Sequence, residues 1–168
     1  LLQLHEAEQA GWDGIMDAGR VVETMIDIRE QGIADHIGLT GSDLGLMSRV
    51  LRETDEFVSV ITFLKYDLLS REAKQVLIPT AVEEDVAVIC ASPLHGGLLG
   101  SKRDHWVEQG RFSDLYDRLD QVEDMLSEES EPIERLGLRY LLSDPQVTMI
   151  LSGVANVEEL EASVAVSD

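Results

Sequence analysis

The sequence predicts an α/β protein with a parallel sheet, on three observations. Five short apolar runs, residues 1–4, 33–40, 57–63, 86–91 and 147–151, recur along 168 residues, each followed by a polar loop and then a helical pattern. Strands that alternate with helices in this way form βαβ units. The run VAVICA (86–91) is apolar on both strand faces, as a strand covered on both sides must be. It then stops at Ser92-Pro93 and enters a loop carrying Gly96-Gly97. Proline cannot continue the ladder, and glycine lets backbone bend tightly or approach a ligand.

The helices follow from their apolar spacing. Residues 19–32 place Val21, Val22, Met25, Ile26 and Ile28 on one stripe, with Gly32 as a stop. Residues 42–54 open on Ser42-Asp43, good N-caps, and turn Leu44, Met47, Val50 and Leu51 inward. Residues 68–85 form a further helix that Pro79 should kink or restart. Pro132 suits a first turn, ahead of Ile133, Leu136, Leu138 and Leu141. Asn156 is an N-cap for the helix that runs toward Asp168. Between the fourth and fifth strands, residues 100–130 insert a long acidic segment, expected as a loop plus an amphipathic helix over 115–126.

Two architectures fit five βα units, an open doubly wound sheet or part of a (β/α)8 barrel. No G-x-G-x-x-G follows the first strand, which removes the main support for the dinucleotide fold bearing that fingerprint. A complete barrel needs about 250 residues. The expectation is therefore a TIM barrel of which this chain supplies the C-terminal half to two-thirds, one domain over residues 1–168. The opening LLQLH, without Met and in mid-strand, reads as a cut, and the last helix as another.

Composition narrows the partners. Asp and Glu number 33 against 13 Lys and Arg, a formal net charge of −20. Nucleic acid and anionic membranes are unsuitable partners for such a surface. The charge fits either a merely soluble acidic protein or adaptation to high salt, where ions screen self-repulsion. A single cysteine, Cys90 within an apolar strand, excludes an internal disulfide and points to a buried thiol in a reducing, cytoplasmic setting. No apolar run approaches the ~18 residues of a membrane span.

In a barrel the chemistry lies at the C-terminal strand ends. Here those ends are His5-Glu6, Thr40-Gly41-Ser42, Lys65-Tyr66-Asp67, residues 92–97 and residues 152–156. The last two resemble a phosphate cradle, with glycines that free N–H groups and a helix start that favours an anion. Simple turn chemistry accounts for the same residues. His95, His105 and Asp104 fit no common metal-ligand spacing, so no metal is expected. His36, placed within the second strand, reads as structural, and residues 121–131 as a solvated face. Trp12 and Trp106 either shape a substrate pocket or pin surface loops.

Read in order, LQLHEAE, QGIADHIGLTGS, LKYDLLSR, CASPLHGGLLG and SGVANVEELEAS resemble the C-terminal part of an aldo-keto reductase. The forms IGLTG and ASPLHGGLL are most similar to the galactose and aldose dehydrogenase branch. The resemblance implies about strands 4–8 of the barrel and hydride transfer between a nicotinamide cofactor and a carbonyl or sugar substrate. It implies an active-site Asp, Tyr, Lys and His, of which only the His has a counterpart, at His5. Tyr66 matches the family's YNLL stretch rather than its acid, so this chain alone is expected to be inactive.

Cofactor contacts are implied at Thr40, Ser92, Leu94, Gly96, Gly153, Val154 and Asn156. Gly41, Phe63 and Ala91 depart from the family's usual Asn, Gln and Tyr. Glu159 stands where NADP-using members often carry Arg. A carboxylate there repels a 2′-phosphate but accepts from a free 2′-hydroxyl, so NAD is expected over NADP. The alternative is a catalytically silent cofactor-binding or regulatory subunit of the same fold. A third reading is an unrelated barrel acting on phosphorylated sugars. Oligomeric state is open, and an open half-barrel is expected to be marginally stable or to self-associate.

Overall fold

The computed structural model describes residues 1–167. Five parallel strands form one sheet in sequential order: β1 (Leu2–Leu4), β2 (Ile37–Gly41), β3 (Phe57–Phe63), β4 (Ala87–Ala91) and β5 (Met149–Leu151). Between them run α1 (Ala7–Met16), α2 (Val21–Glu30), α3 (Leu44–Glu53), α4 (Glu72–Gln75), α5 (Leu77–Glu83), α6 (Arg103–Glu108), α7 (Tyr116–Leu126) and α8 (Ile133–Leu142). After β5 comes α9 (Val157–Val164). Sequential parallel order, with a helical crossover between neighbours, is the winding of a (β/α) barrel and not of a sheet that reverses.

The two sheet faces have different fates because strand side chains alternate. One face turns Ile37, Leu39, Phe57, Val60, Val88 and Cys90 onto Met47, Leu51, Leu77 and Ile78 of the helices, forming the main core. The concave face is more polar at its start. Gln3 reaches across Gly38, donating from Nε2 to Ser59 Oγ at 2.9 Å and accepting from Thr40 Oγ1 at 3.1 Å. A Cβ at Gly38 would stand 2.5 Å from both side chains, so only glycine admits this crossing. A register shift between Ile37 and Gly38 turns Ser59, rather than Val58, to that side.

The helix starts and stops are largely those the sequence implies. Asp43 caps α3 through Leu46 N at 2.9 Å, and Asn156 caps α9 through Glu159 N at 2.8 Å. The break expected at Pro79 falls earlier, at Val76 (φ −119°), which separates α4 from α5. Pro79 then lies in the first turn of α5, where its missing N–H removes no helical bond. The 100–130 insertion holds α7 as expected and also the short α6, around a second small core of Leu69, Leu98, Leu99 and Leu119.

Two readings are corrected. The second strand begins at Ile37, because residues 33–36 complete the turn that Gly32 (φ +72°) opens after α2. His36 is therefore exposed and outside the strand. Residues 7–16, whose sequence shows two glycines and little periodicity, form α1. It is kinked at Gly11 (φ +64°) and pinned by Trp12 against the Arg49 guanidinium, 3.4 Å from the ring centre. Among the described residues no helix is long and apolar enough to cross a membrane. Asp168, the expected last residue of the final helix, lies outside the described residues.

Candidate functional site

The loop after β4 and the loop after β5 face each other across a cleft of about 720 Å³. Its walls are the glycine loop, the first turns of α8 and the start of α9. It thus brings together Ser92, Leu94, Gly96, Gly153, Val154, Asn156 and Glu159, seven of the residues the sequence singles out. His5 and Thr40 do not line it. His5 stands just beyond β1 with its side chain 77% exposed, Nδ1 3.9 Å from Glu6. Thr40 is buried on the concave face, bonded to Gln3.

The glycine loop holds an unusual backbone. Ser92 (φ +57°), His95 (φ +48°), Gly96 (φ +65°) and Gly97 (φ +91°) are all left-handed. Two non-glycine residues in that region require outside support. Ser92 N–H donates to Leu151 O at 3.2 Å, which ties the loop to β5. His95 is buried, with Nδ1 2.8 Å from Asp67 Oδ2 and its ring edge-on to Phe112. Asp67, fully buried after β3, also accepts from Leu69 N (2.7 Å) and Ser70 N (2.9 Å). From above, Trp106 donates its indole N–H to Gly96 O at 2.9 Å. Trp106 therefore pins the cleft's own loop, the second of the two roles its sequence position left open.

On the opposite wall the capping of α9 employs Glu159. Its carboxylate accepts from Ala155 N at 2.9 Å and Asn156 Nδ2 at 3.3 Å, while Asn156 Oδ1 caps Glu159 N, a reciprocal cap of the capping-box kind. Upstream, the Gly153 and Val154 N–H groups have no protein partner among the described residues. Lys102 and Arg135 also line the cleft. Neither stood out in the sequence. For Lys102 the available signal was its place directly after the glycine loop, in GGLLGSK.

Other reactive groups are committed elsewhere. Tyr66 donates to Asp144 Oδ2 at 2.6 Å, and Asp144 also accepts from Lys74. Burial first, then that hydrogen bond, pushes the Tyr66 hydroxyl above its ordinary range. Burial, with Asp144 and Asp67 nearby, pushes the Cys90 thiol up to about 12. It is inert as a nucleophile at neutral pH.

Fold and site define a class, a TIM-barrel-like α/β protein with a glycine-walled cleft at its strand ends. The Aldo/keto reductase family model matches residues 2–168, and the chain belongs to that family. It is 27% identical to the uncharacterized oxidoreductase YrpG of Bacillus subtilis and 26% identical to L-galactose dehydrogenase of Arabidopsis thaliana. Each alignment covers 98% of this chain, and 52% and 51% of those proteins. The holo form of aldo-keto reductase AKR11C1 from Bacillus halodurans superposes with a TM-score of 0.77 at 22% identity, over 98% of this chain and 53% of the other. The chain thus spans about half the length of the relatives it matches.

Proposed function

We propose that the chain carries the cofactor cleft of an oxidoreductase that moves hydride between a nicotinamide dinucleotide and a carbonyl or sugar substrate. The convergence of the two strand-end loops on one cleft carries this reading. A volume near 720 Å³ suits a nucleotide-sized ligand, and the free N–H groups of Gly153 and Val154 suit phosphate oxygens. In this reading Ser92, Leu94 and Gly96 border the diphosphate. Gly153, Val154 and Asn156 hold the adenosine end, Thr40 bears on the carboxamide, and His5 orients the substrate. The bound dinucleotide supplies the hydride; the residues here position it and exclude water.

The cofactor in this reading is NAD rather than NADP. Glu158 and Glu159 together make the α9 wall acidic, which disfavours a 2′-phosphate and leaves carboxylate lone pairs for a 2′-hydroxyl. Cys90, buried and unpaired, suits the reducing cytoplasm. Titration of NADH and NADPH into the chain, followed by calorimetry, tests the reading. Saturable binding with NADH the tighter ligand is expected, and absence of saturable binding by either overturns it.

A second reading is a cofactor-binding or regulatory subunit without catalysis of its own. Among the described residues every tyrosine is engaged: Tyr66 with Asp144, Tyr116 with the Trp106 and Arg111 carbonyls, and Tyr140 edge-on to Tyr66. NADH binding without NADH oxidation against a panel of aldehydes and aldoses would distinguish this reading.

A further inference from the structure

The glycine loop is shaped by two side chains that do not line the cleft, His95 and Asp67. Gly96 and Gly97 take left-handed backbone freely, but His95 (φ +48°) takes it under strain and needs outside support. Its N–H donates to Ser92 O at 3.0 Å, and its carbonyl accepts from Leu98 N at 3.2 Å. Whatever fixes the His95 side chain therefore fixes the backbone on both sides of it. That group is Asp67, 28 residues earlier on the turn after β3, with Oδ2 2.8 Å from His95 Nδ1.

Asp67 meets His95 already fixed by its own turn. Oδ1 accepts from Leu69 N at 2.7 Å and Ser70 N at 2.9 Å, and Asp67 N–H donates to Ser70 O at 2.8 Å. One oxygen thus serves the β3 turn and the other the β4 loop. An ionised carboxylate only accepts, so Nδ1 of His95 carries the hydrogen. Phe112 meets the imidazole edge-on, ring centres 4.9 Å apart, and confines it from the side of the insertion. His95 is 4% exposed and Asp67 0%, so water does not compete for this bond.

We propose that Asp67 and His95 are positioning residues: their buried pair holds the glycine loop in its ligand-receptive shape. The turn after β3 thereby sets the affinity of a cleft that it does not touch. The identity of the ligand rests on the cofactor reading; the hold on the loop does not. A loop fixed before the ligand arrives spares binding the cost of ordering it, so the pair acts on affinity as well as on stability.

The test separates the backbone's need from the side chain's. His95→Gly accepts the left-handed backbone but loses the bond to Asp67; His95→Asn accepts that backbone and keeps an N–H2 group near the place of Nδ1. NADH is titrated calorimetrically into the full chain and each variant, at a temperature where melting curves show all of them folded. His95→Gly is expected to weaken NADH binding about ten-fold or more, the scale of a lost hydrogen bond to a charged group, and His95→Asn to recover most of it. In Asp67→Asn the amide can donate, so nitrogen-15 spectra should show the His95 hydrogen moved from Nδ1 to Nε2 with affinity largely kept. A folded His95→Gly that binds NADH as the wild type does overturns the proposal, as does a His95→Asn no better than His95→Gly. If the wild type does not bind NADH, the cofactor reading falls and the backbone resonances of residues 92–99 decide instead. Displacement in His95→Gly with restoration in His95→Asn upholds the positioning role, and resonances unmoved in His95→Gly overturn it.

Discussion

At the scale of single residues, the groups beneath the cleft matter as much as those lining it. Asp67 is buried without exposure and holds two backbone N–H groups as well as His95. Removing it orphans three polar groups at once. Asp67→Ala is expected to lose several kcal/mol in urea denaturation, since each buried polar group left without a partner costs about 1–3 kcal/mol. Asp67→Asn keeps an acceptor and should lose less; equal losses for both would mean that the carboxylate's charge matters more than its geometry. Asp144 and Glu8 make the acid limb of stability. Burial raises both carboxyls, but hydrogen bonds from Lys74 and Tyr66 to Asp144, and from Ser42 to Glu8, outweigh it, so both lie below their ordinary values of 3.8 and 4.5. A depressed folded value contributes stability above the ordinary value, and the contribution is lost as pH falls through the folded one. Melting temperature should therefore drop between pH 5 and pH 3. The drop should be shallower in the Asp144→Asn, Glu8→Gln double variant, and an unchanged slope would refute the assignment.

At the scale of elements, the question is which parts depended on local signals. The apolar runs gave β3 over its full extent, because Phe57 to Phe63 is unbroken by turn residues. The caps of α3 and α9 were legible because Asp43 and Asn156 bond to N–H groups three residues on. What was illegible depended on distant partners. α1 has two glycines and is held by Arg49 over Trp12 and by Glu8 to Ser42, contacts that no local window contains. The cleft shows the same split. Its glycines and cap were readable, whereas Arg135 lies on α8, beyond the insertion, and meets the loop only on folding. For Trp106 the sequence left pocket-shaping and loop-pinning open, and the contact that decides is made by α6, which returns its indole to Gly96 across ten residues. Trp106→Phe keeps the ring but loses the donor. It is expected to cost about 1 kcal/mol in denaturation, the net value of one hydrogen bond, and to weaken NADH binding by releasing the glycine loop. Loss of stability without loss of affinity would make Trp106 a structural pin alone.

At the scale of the whole molecule, two features bear on how the chain behaves in solution. Among the described residues the edge strands β1 and β5 each pair on one side only, and β5 leaves Met149 and Leu151 50% and 44% exposed. Unpaired strands and exposed apolar side chains favour association, while a net charge of −20 opposes it by repulsion between copies. The two are separable because salt acts on only one of them in the dilute range. The Debye length falls from about 10 Å at 0.1 M to about 3 Å at 1 M, which removes long-range repulsion within one chain and between copies. The melting temperature should therefore rise steeply over that interval, in chloride salts of either potassium or sodium, as self-repulsion is screened. Sedimentation over the same interval should show association growing with salt, since the apolar attraction persists when the repulsion fades. Stability that rises only beyond 1 M, and more in sulfate than in chloride, would assign the effect to strengthened apolar burial. The acidic surface would then be a matter of solubility, with no adaptation to high salt.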